Sequence, residues 1–101
     1  MITETDEIMV FKDIHPSAPI HLLVVPKRHI ASVNELEERD KDLVGEMLLV
    51  AKEVAKSQGL DARGYKLVFN VGRGGGQVID HLHLHLLGGW GREENPDTYR
   101  V

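Results

Sequence analysis

Residues 80–87 read Asp-His-Leu-His-Leu-His-Leu-Leu. Alternation of polar and apolar residues over this length fits a β-strand, whose successive side chains point to opposite faces. A helix would scatter the same leucines around its axis. His81, His83 and His85 therefore share one face, and Leu82, Leu84 and Leu86 the other. The leucine face requires an apolar layer to cover it, and the opposite face carries a row of imidazoles. The chain must supply a sheet and a cover.

The rest of the chain contains both. Residues 7–12 form a first strand, followed by a loop punctuated by Pro16 and Pro19. Residues 20–25 form a nearly continuous apolar strand ended by Pro26, with His21 as its odd member. Ser32 with Glu35 matches a capping box for a short helical turn. A long helix is predicted over residues 39–58. Leu43, Val44, Met47, Leu48, Ala51, Val54 and Ala55 form its stripe, Lys52 and Lys56 suit its last turns, and Gly59 its stop. Residues 65–70 form a third strand, 71–77 a glycine-rich connection, and 78–87 the histidine strand, stopped by Gly88 and Gly89. The tail from Trp90 to Val101 reads as polar and irregular. The fold class is α+β, one domain over residues 1–101 with a long helix on an antiparallel sheet.

Composition narrows the function. A formal charge of -4 argues against a duplex nucleic-acid surface. With no cysteine, disulfides, thiolate chemistry and Cys-ligated zinc are excluded. No apolar run is long enough to span a membrane, and the acidic start lacks the features of a secretory signal. These features predict a soluble, cytoplasmic chain. At 101 residues it can bury only a modest core and gains from pairing with a second copy.

Three readings compete for the imidazole row. As structure alone, three aligned histidines bring the fold nothing, since they repel when charged. As a metal site, a straight strand at about 3.3 Å per residue separates the outer two Cα atoms by roughly 13 Å, so one ion would take two of them plus a residue such as His21. As a catalytic site, a neutral imidazole is a good nucleophile if its other nitrogen is held as N–H. A phosphate is a suitable electrophile, with flanking imidazoles as donors. The preceding Gly74-Gly75-Gly76-Gln77, with Arg73, suits close approach of main-chain N–H groups to an anion.

The stretch His81-Leu-His-Leu-His-Leu-Leu87 resembles the signature of the histidine-triad nucleotide-binding proteins, and is most similar to the HINT branch of purine nucleoside phosphoramidases. Phe11 through Pro26, Lys27-Arg-His-Ile30, Tyr65 through Asn70 and Gly75-Gly-Gln77 resemble further family segments in the same order. The resemblance covers residues 6–90. It implies that His83 attacks the α-phosphate of a purine nucleoside monophosphate derivative and forms a nucleotidyl-histidine, its other ring nitrogen held by a main-chain carbonyl of the same strand. His85 would contact phosphate oxygens, His21 would face the triad from the next strand, and His81 would complete the cluster. Asp13 would bind the ribose, Phe11 and Ile14 would pack on the purine, and Asn70, Gly76, Gln77 and the Val78 backbone would line the phosphate side. His29 is read as structural or solvated. The route needs no metal or organic cofactor, and the implied partner is a second copy, joined through the long helix and the strand after it. The alternative is a nucleotide-binding regulatory module with little turnover. The chain departs from the pattern in two ways. Val78 stands where many animal members carry Ser, and the usual N-terminal helix and strand are expected to be lacking, which predicts a more open purine pocket.

Overall fold

The computed structural model describes residues 2–91. Its strands are β1 (Thr3–Glu4), β2 (Ile8–Lys12), β3 (Ile20–Pro26), β4 (Tyr65–Val68) and β5 (Leu84–Gly88), and its long helix is α1 (Lys41–Ser57). All strand pairs are antiparallel, in the order β1-β2-β3-β5-β4. The predicted α+β arrangement of one helix on an antiparallel sheet is what the chain forms. Beyond residue 91, the expected irregular tail lies outside the described residues.

The pleat separates the two faces. Val10, Val24 and Leu84 pair in one row, and Leu22 and Leu86 in another; all five are buried. Leu43, Met47, Ala51, Val54 and Ala55 of α1 are buried with them in one core. Leu48, counted in the predicted stripe, is exposed at its margin. The helix ends as Gly59 predicts. With φ at 74°, Gly59 donates to Lys56 O, and the next residue, the buried Leu60, donates to Ala55 O. This is the paired closure that a left-handed glycine permits, with an apolar residue tucked in behind it.

Four expectations change. First, Thr3 and Glu4 form a strand, because Thr5 closes a tight turn: its N–H donates to Ile8 O, and its Oγ1 accepts from Ile8 N–H. The sheet therefore has a strand before the one predicted to be first. Second, the third predicted strand ends at Val68 rather than residue 70. Third, Ser32 Oγ accepts from Asn34 N–H, while the reciprocal capping box lies at Glu37 and Asp40. Buried Asp40 also accepts from Arg28, tying the loop after β3 to the start of α1. That Arg28 bond first, and the Glu37 N–H next, hold the Asp40 carboxyl below its usual range.

Fourth, β5 begins at Leu84, not at residue 78. The register pairs Val24 with Leu84, so two steps further Pro26 would face Leu82. Proline has no N–H for the ladder. Leu82 N–H instead donates to Ile30 O at 2.6 Å. Burial nevertheless alternates from His81 to Leu87, with the leucines at 82, 84 and 86 inward.

Candidate active site

The face of the sheet away from α1 carries the histidines. Phe11, Leu23, His85 and Val68 form one row across β2, β3, β5 and β4, and His21 lies opposite Leu87 in the next. This puts His21 diagonal to His85. His21 Nε2 lies 2.9 Å from His85 Nδ1, although His21 is 93% covered. The rings of His83 and His85 meet edge to face, with centroids 4.9 Å apart. The structure thus brings His21, His83 and His85 together. The ring of His81 turns away to Pro26 and His29, so its contribution to the cluster is its main-chain carbonyl.

Hydrogen-bond partners assign the protons. The His81 carbonyl can only accept, so His83 Nδ1, 2.7 Å from it, carries the hydrogen. His83 Nε2 is left with its lone pair and meets no hydrogen-bond partner among the described residues. Ser17 N–H donates to His21 Nδ1 at 2.9 Å, so the His21 proton sits on Nε2 and is donated to His85 Nδ1. His85 must then carry its own hydrogen on Nε2. Burial, then the neighbouring His83 and His21, push the His85 pKa down to about 4, against the pull of Asp13. His85 is a neutral donor at pH 7.

Asp13 lies beside this pair. One carboxylate oxygen accepts from His15 N–H at 2.8 Å, and the other lies 3.4 Å from His21 Nε2. Asp13, His21 and His85 bring potential ligand atoms within 4.8 Å of one another. These spacings are near those of a metal site, but the proton placement is wrong. A ligating Nε2 needs its lone pair, which requires the hydrogen on Nδ1 and a second-shell acceptor there. His21 Nδ1 faces a donor, the Ser17 N–H. His21 and His85 are built as a hydrogen-bonded pair, with the Asp13 carboxylate beside them.

The glycine-rich turn behaves differently from a simple anion cradle. The N–H groups of Gly75 and Gln77 donate to Gly72 O, and that of Gly76 to Arg73 O. Arg73 pairs with Asp80 at 3.1 Å and bonds Gln77 O, so its charge is engaged within the turn. The Gln77 side chain, 3% exposed, donates to Ala31 O and Ile79 O and accepts from Gly72 N–H. Its amide holds the turn against the loop after β3. Asn70 Nδ2 donates to Gly75 O, with Gly76 alongside at φ 89°. Val78 follows, 77% exposed, and Ile14, in the loop after β2, is 86% exposed. Phe11 is half-buried beside Leu23.

Sequence reasoning missed one contributor, Ser17, and left His29 outside the site. Ser17 offers no chemistry in its side chain, and its role is played by its N–H. His29, read as structural or solvated, has its Nδ1 3.2 Å from His81 Nδ1. Neither residue belongs to the alternating stretch that drew attention to the site.

Comparison with known proteins identifies the family and the fold. The HIT domain family matches residues 1–91. A relative from Buchnera aphidicola subsp. Baizongia pistaciae, described as an uncharacterised HIT-like protein, is 48% identical over 89 residues, which is 88% of this chain and 80% of the relative. A solved HIT family hydrolase from Legionella pneumophila is 49% identical with a TM-score of 0.87, over 89% of this chain and 80% of that one. A histidine triad nucleotide-binding protein from Candida albicans is 33% identical with a TM-score of 0.75, over 94% and 76%. The triad strand, its partner His21 and the helix-backed sheet therefore lie on a shared scaffold, and the chain belongs to the HIT domain family.

Proposed function

We propose that this protein hydrolyses nucleoside 5′-monophosphates substituted at the α-phosphate, with phosphoramidates as the substrate class, through a covalent nucleotide on His83. The observation that carries this reading is the 2.7 Å bond from His83 Nδ1 to the His81 carbonyl, which aims a lone pair outward from Nε2. In the first displacement Nε2 bonds to phosphorus, the P–N bond breaks, and the amine departs with a proton drawn from solvent. In the second, water bonds to phosphorus, the P–Nε2 bond breaks, and the nucleoside monophosphate leaves. The His85 Nε2–H donates to a phosphate oxygen as negative charge grows there.

Phe11 and Ile14 offer an apolar side to the base. Asp13 keeps unused lone pairs for ribose hydroxyls. Asn70 and Gly76 border the phosphate side, with Gln77 supporting them from beneath and Val78 presenting its backbone. The name of the Candida albicans relative supports a nucleotide ligand, and that of the Legionella pneumophila relative supports hydrolysis. The functional unit in this reading is a homodimer.

Replacing His83 with Ala tests the reading. Turnover of an adenosine phosphoramidate falls at least a hundredfold, as loss of a covalent nucleophile requires, while adenosine monophosphate still binds. Quenched wild type carries an adenylyl group on His83 by mass spectrometry. Turnover above about a hundredth of wild type in His83→Ala overturns the assignment. Binding without turnover in the wild type would make the protein a nucleotide-binding module instead.

A further inference from the structure

Residues 26–31, the turn leaving β3, run beside residues 77–82, which lead into β5. No sheet ladder joins them, and four side-chain or main-chain contacts take its place. Gln77 Nε2 donates to Ala31 O at 2.7 Å and Leu82 N–H to Ile30 O at 2.6 Å. His81 Nε2 donates to Pro26 O at 2.8 Å. The fourth contact is His29 Nδ1 to His81 Nδ1 at 3.2 Å, with the rings edge to face and their centroids 5.1 Å apart.

Two ring nitrogens at this distance share one hydrogen. Pro26 O only accepts, so the His81 hydrogen is on Nε2 and its Nδ1 has the lone pair. His29 is therefore the donor. His81 is gripped at both nitrogens, by an acceptor on one side and a donor on the other. Its own carbonyl, meanwhile, is the group that holds His83 Nδ1–H. The contacts run His29 to the His81 ring, and from the His81 main chain to His83.

We infer that His29 is a positioning residue: by donating from Nδ1 to His81 Nδ1, it pins the His81 ring between itself and Pro26 and so fixes the carbonyl that selects the reactive tautomer of His83. The inference rests on His83 as nucleophile. Without the donor, His81 Nδ1 turns to water, the ring loses one of two anchors, and the carbonyl two bonds from its Cβ shifts with it. Small displacements of a catalytic group cost rate more than substrate affinity.

The test compares wild type with His29→Leu, which keeps bulk but cannot donate, and His29→Asn, whose amide nitrogen takes the place of Nδ1. With an adenosine phosphoramidate, His29→Leu lowers kcat roughly tenfold with KM within about twofold. His29→Asn returns kcat to within about threefold of wild type. Nitrogen-15 shifts of His83 report a single Nδ1–H form in wild type and His29→Asn, and a tautomer mixture in His29→Leu. In wild type alone, a scalar coupling across the hydrogen bond links the two Nδ1 atoms of His29 and His81, a measurement independent of whether any variant folds. Wild-type kcat and an unmixed His83 in His29→Leu, a loss that Asn does not restore, or absence of that coupling would each overturn the inference. Full activity in His83→Ala would overturn the parent reading instead, which keeps the two failures apart.

Discussion

The chemistry of the cluster depends on where each imidazole keeps its hydrogen, and each position follows from one neighbour. Ser17 N–H sets His21, His21 sets His85, and the His81 carbonyl sets His83. His85 contributes a pH dependence to stability. Its folded pKa is depressed to about 4, below the ordinary imidazole value of 6.5, mainly by burial. Between those values the unfolded chain takes up a proton that the folded chain refuses. The contribution is therefore fully present above about pH 6.5 and is lost as pH falls toward 4. Urea unfolding at pH 7 and pH 5 checks it. Wild type loses more stability over that interval than His85→Asn, which cannot titrate there; equal losses in the two proteins would refute the assignment.

Each element of the site is set in place by its ends. β5 starts where Pro26 can no longer serve the ladder, and its last residue, Gly88, is a glycine for a steric reason. A Cβ on Gly88 would lie 2.9 Å from Leu60 Cδ1 and 3.3 Å from Tyr65 Cβ. Leu60 is the buried residue that closes α1, and Tyr65 begins β4 opposite Gly88. A methyl group here forces Leu60, behind the helix terminus, and the edge strand β4 away from the strand that carries His85. Gly88→Ala is expected to cost about 1–3 kcal/mol, the range for overfilling a packed site. Chemical denaturation measures it, and an unchanged midpoint would show that Leu60 gives way freely. Gly89, with φ at 90° and Pro19 close by, continues the same tight passage.

In the whole molecule, the sheet has two unlike faces and an open edge. One face is covered by α1, and the other carries the row of histidines. β4 lies at the end of the strand order, so among the described residues no strand pairs with its outer side. Leu67 on β4 pairs with the fully buried Leu86 and shares its face, yet is 38% exposed, and Leu48 of α1 is also uncovered. A bare strand edge next to apolar surface invites pairing with a second copy across a two-fold axis. Sedimentation at micromolar concentration is expected to show a dimer, and Leu67→Lys to shift it toward monomer. A wild-type monomer under those conditions would remove the dimer from the proposed function. No described helix is long and apolar enough to cross a membrane.

The local pattern made much of this legible. The alternation at 81–87 put the leucines inward and the imidazoles outward even where no ladder holds the chain, because burial of every second residue needs only an extended backbone over an apolar core. The spacing of Leu43, Met47, Ala51, Val54 and Ala55 placed the helix, and Gly59 its end, since both depend on residues a few positions apart. The resemblance to histidine-triad proteins pointed to the candidate site. The tertiary structure alone decided the partners: His21 with His85 across 64 positions, and His29 with His81 across 52. It also decided that the strand begins at Leu84, because the missing N–H belongs to Pro26 on a different strand. Likewise, the Gln77 amide and the Arg73 guanidinium, legible only as candidate phosphate contacts, are spent inside the turn on groups the fold brings to them. Periodicity is a property of neighbours along the chain. The direction of a proton is a property of neighbours in space, and in this protein it makes one imidazole of the row the candidate nucleophile.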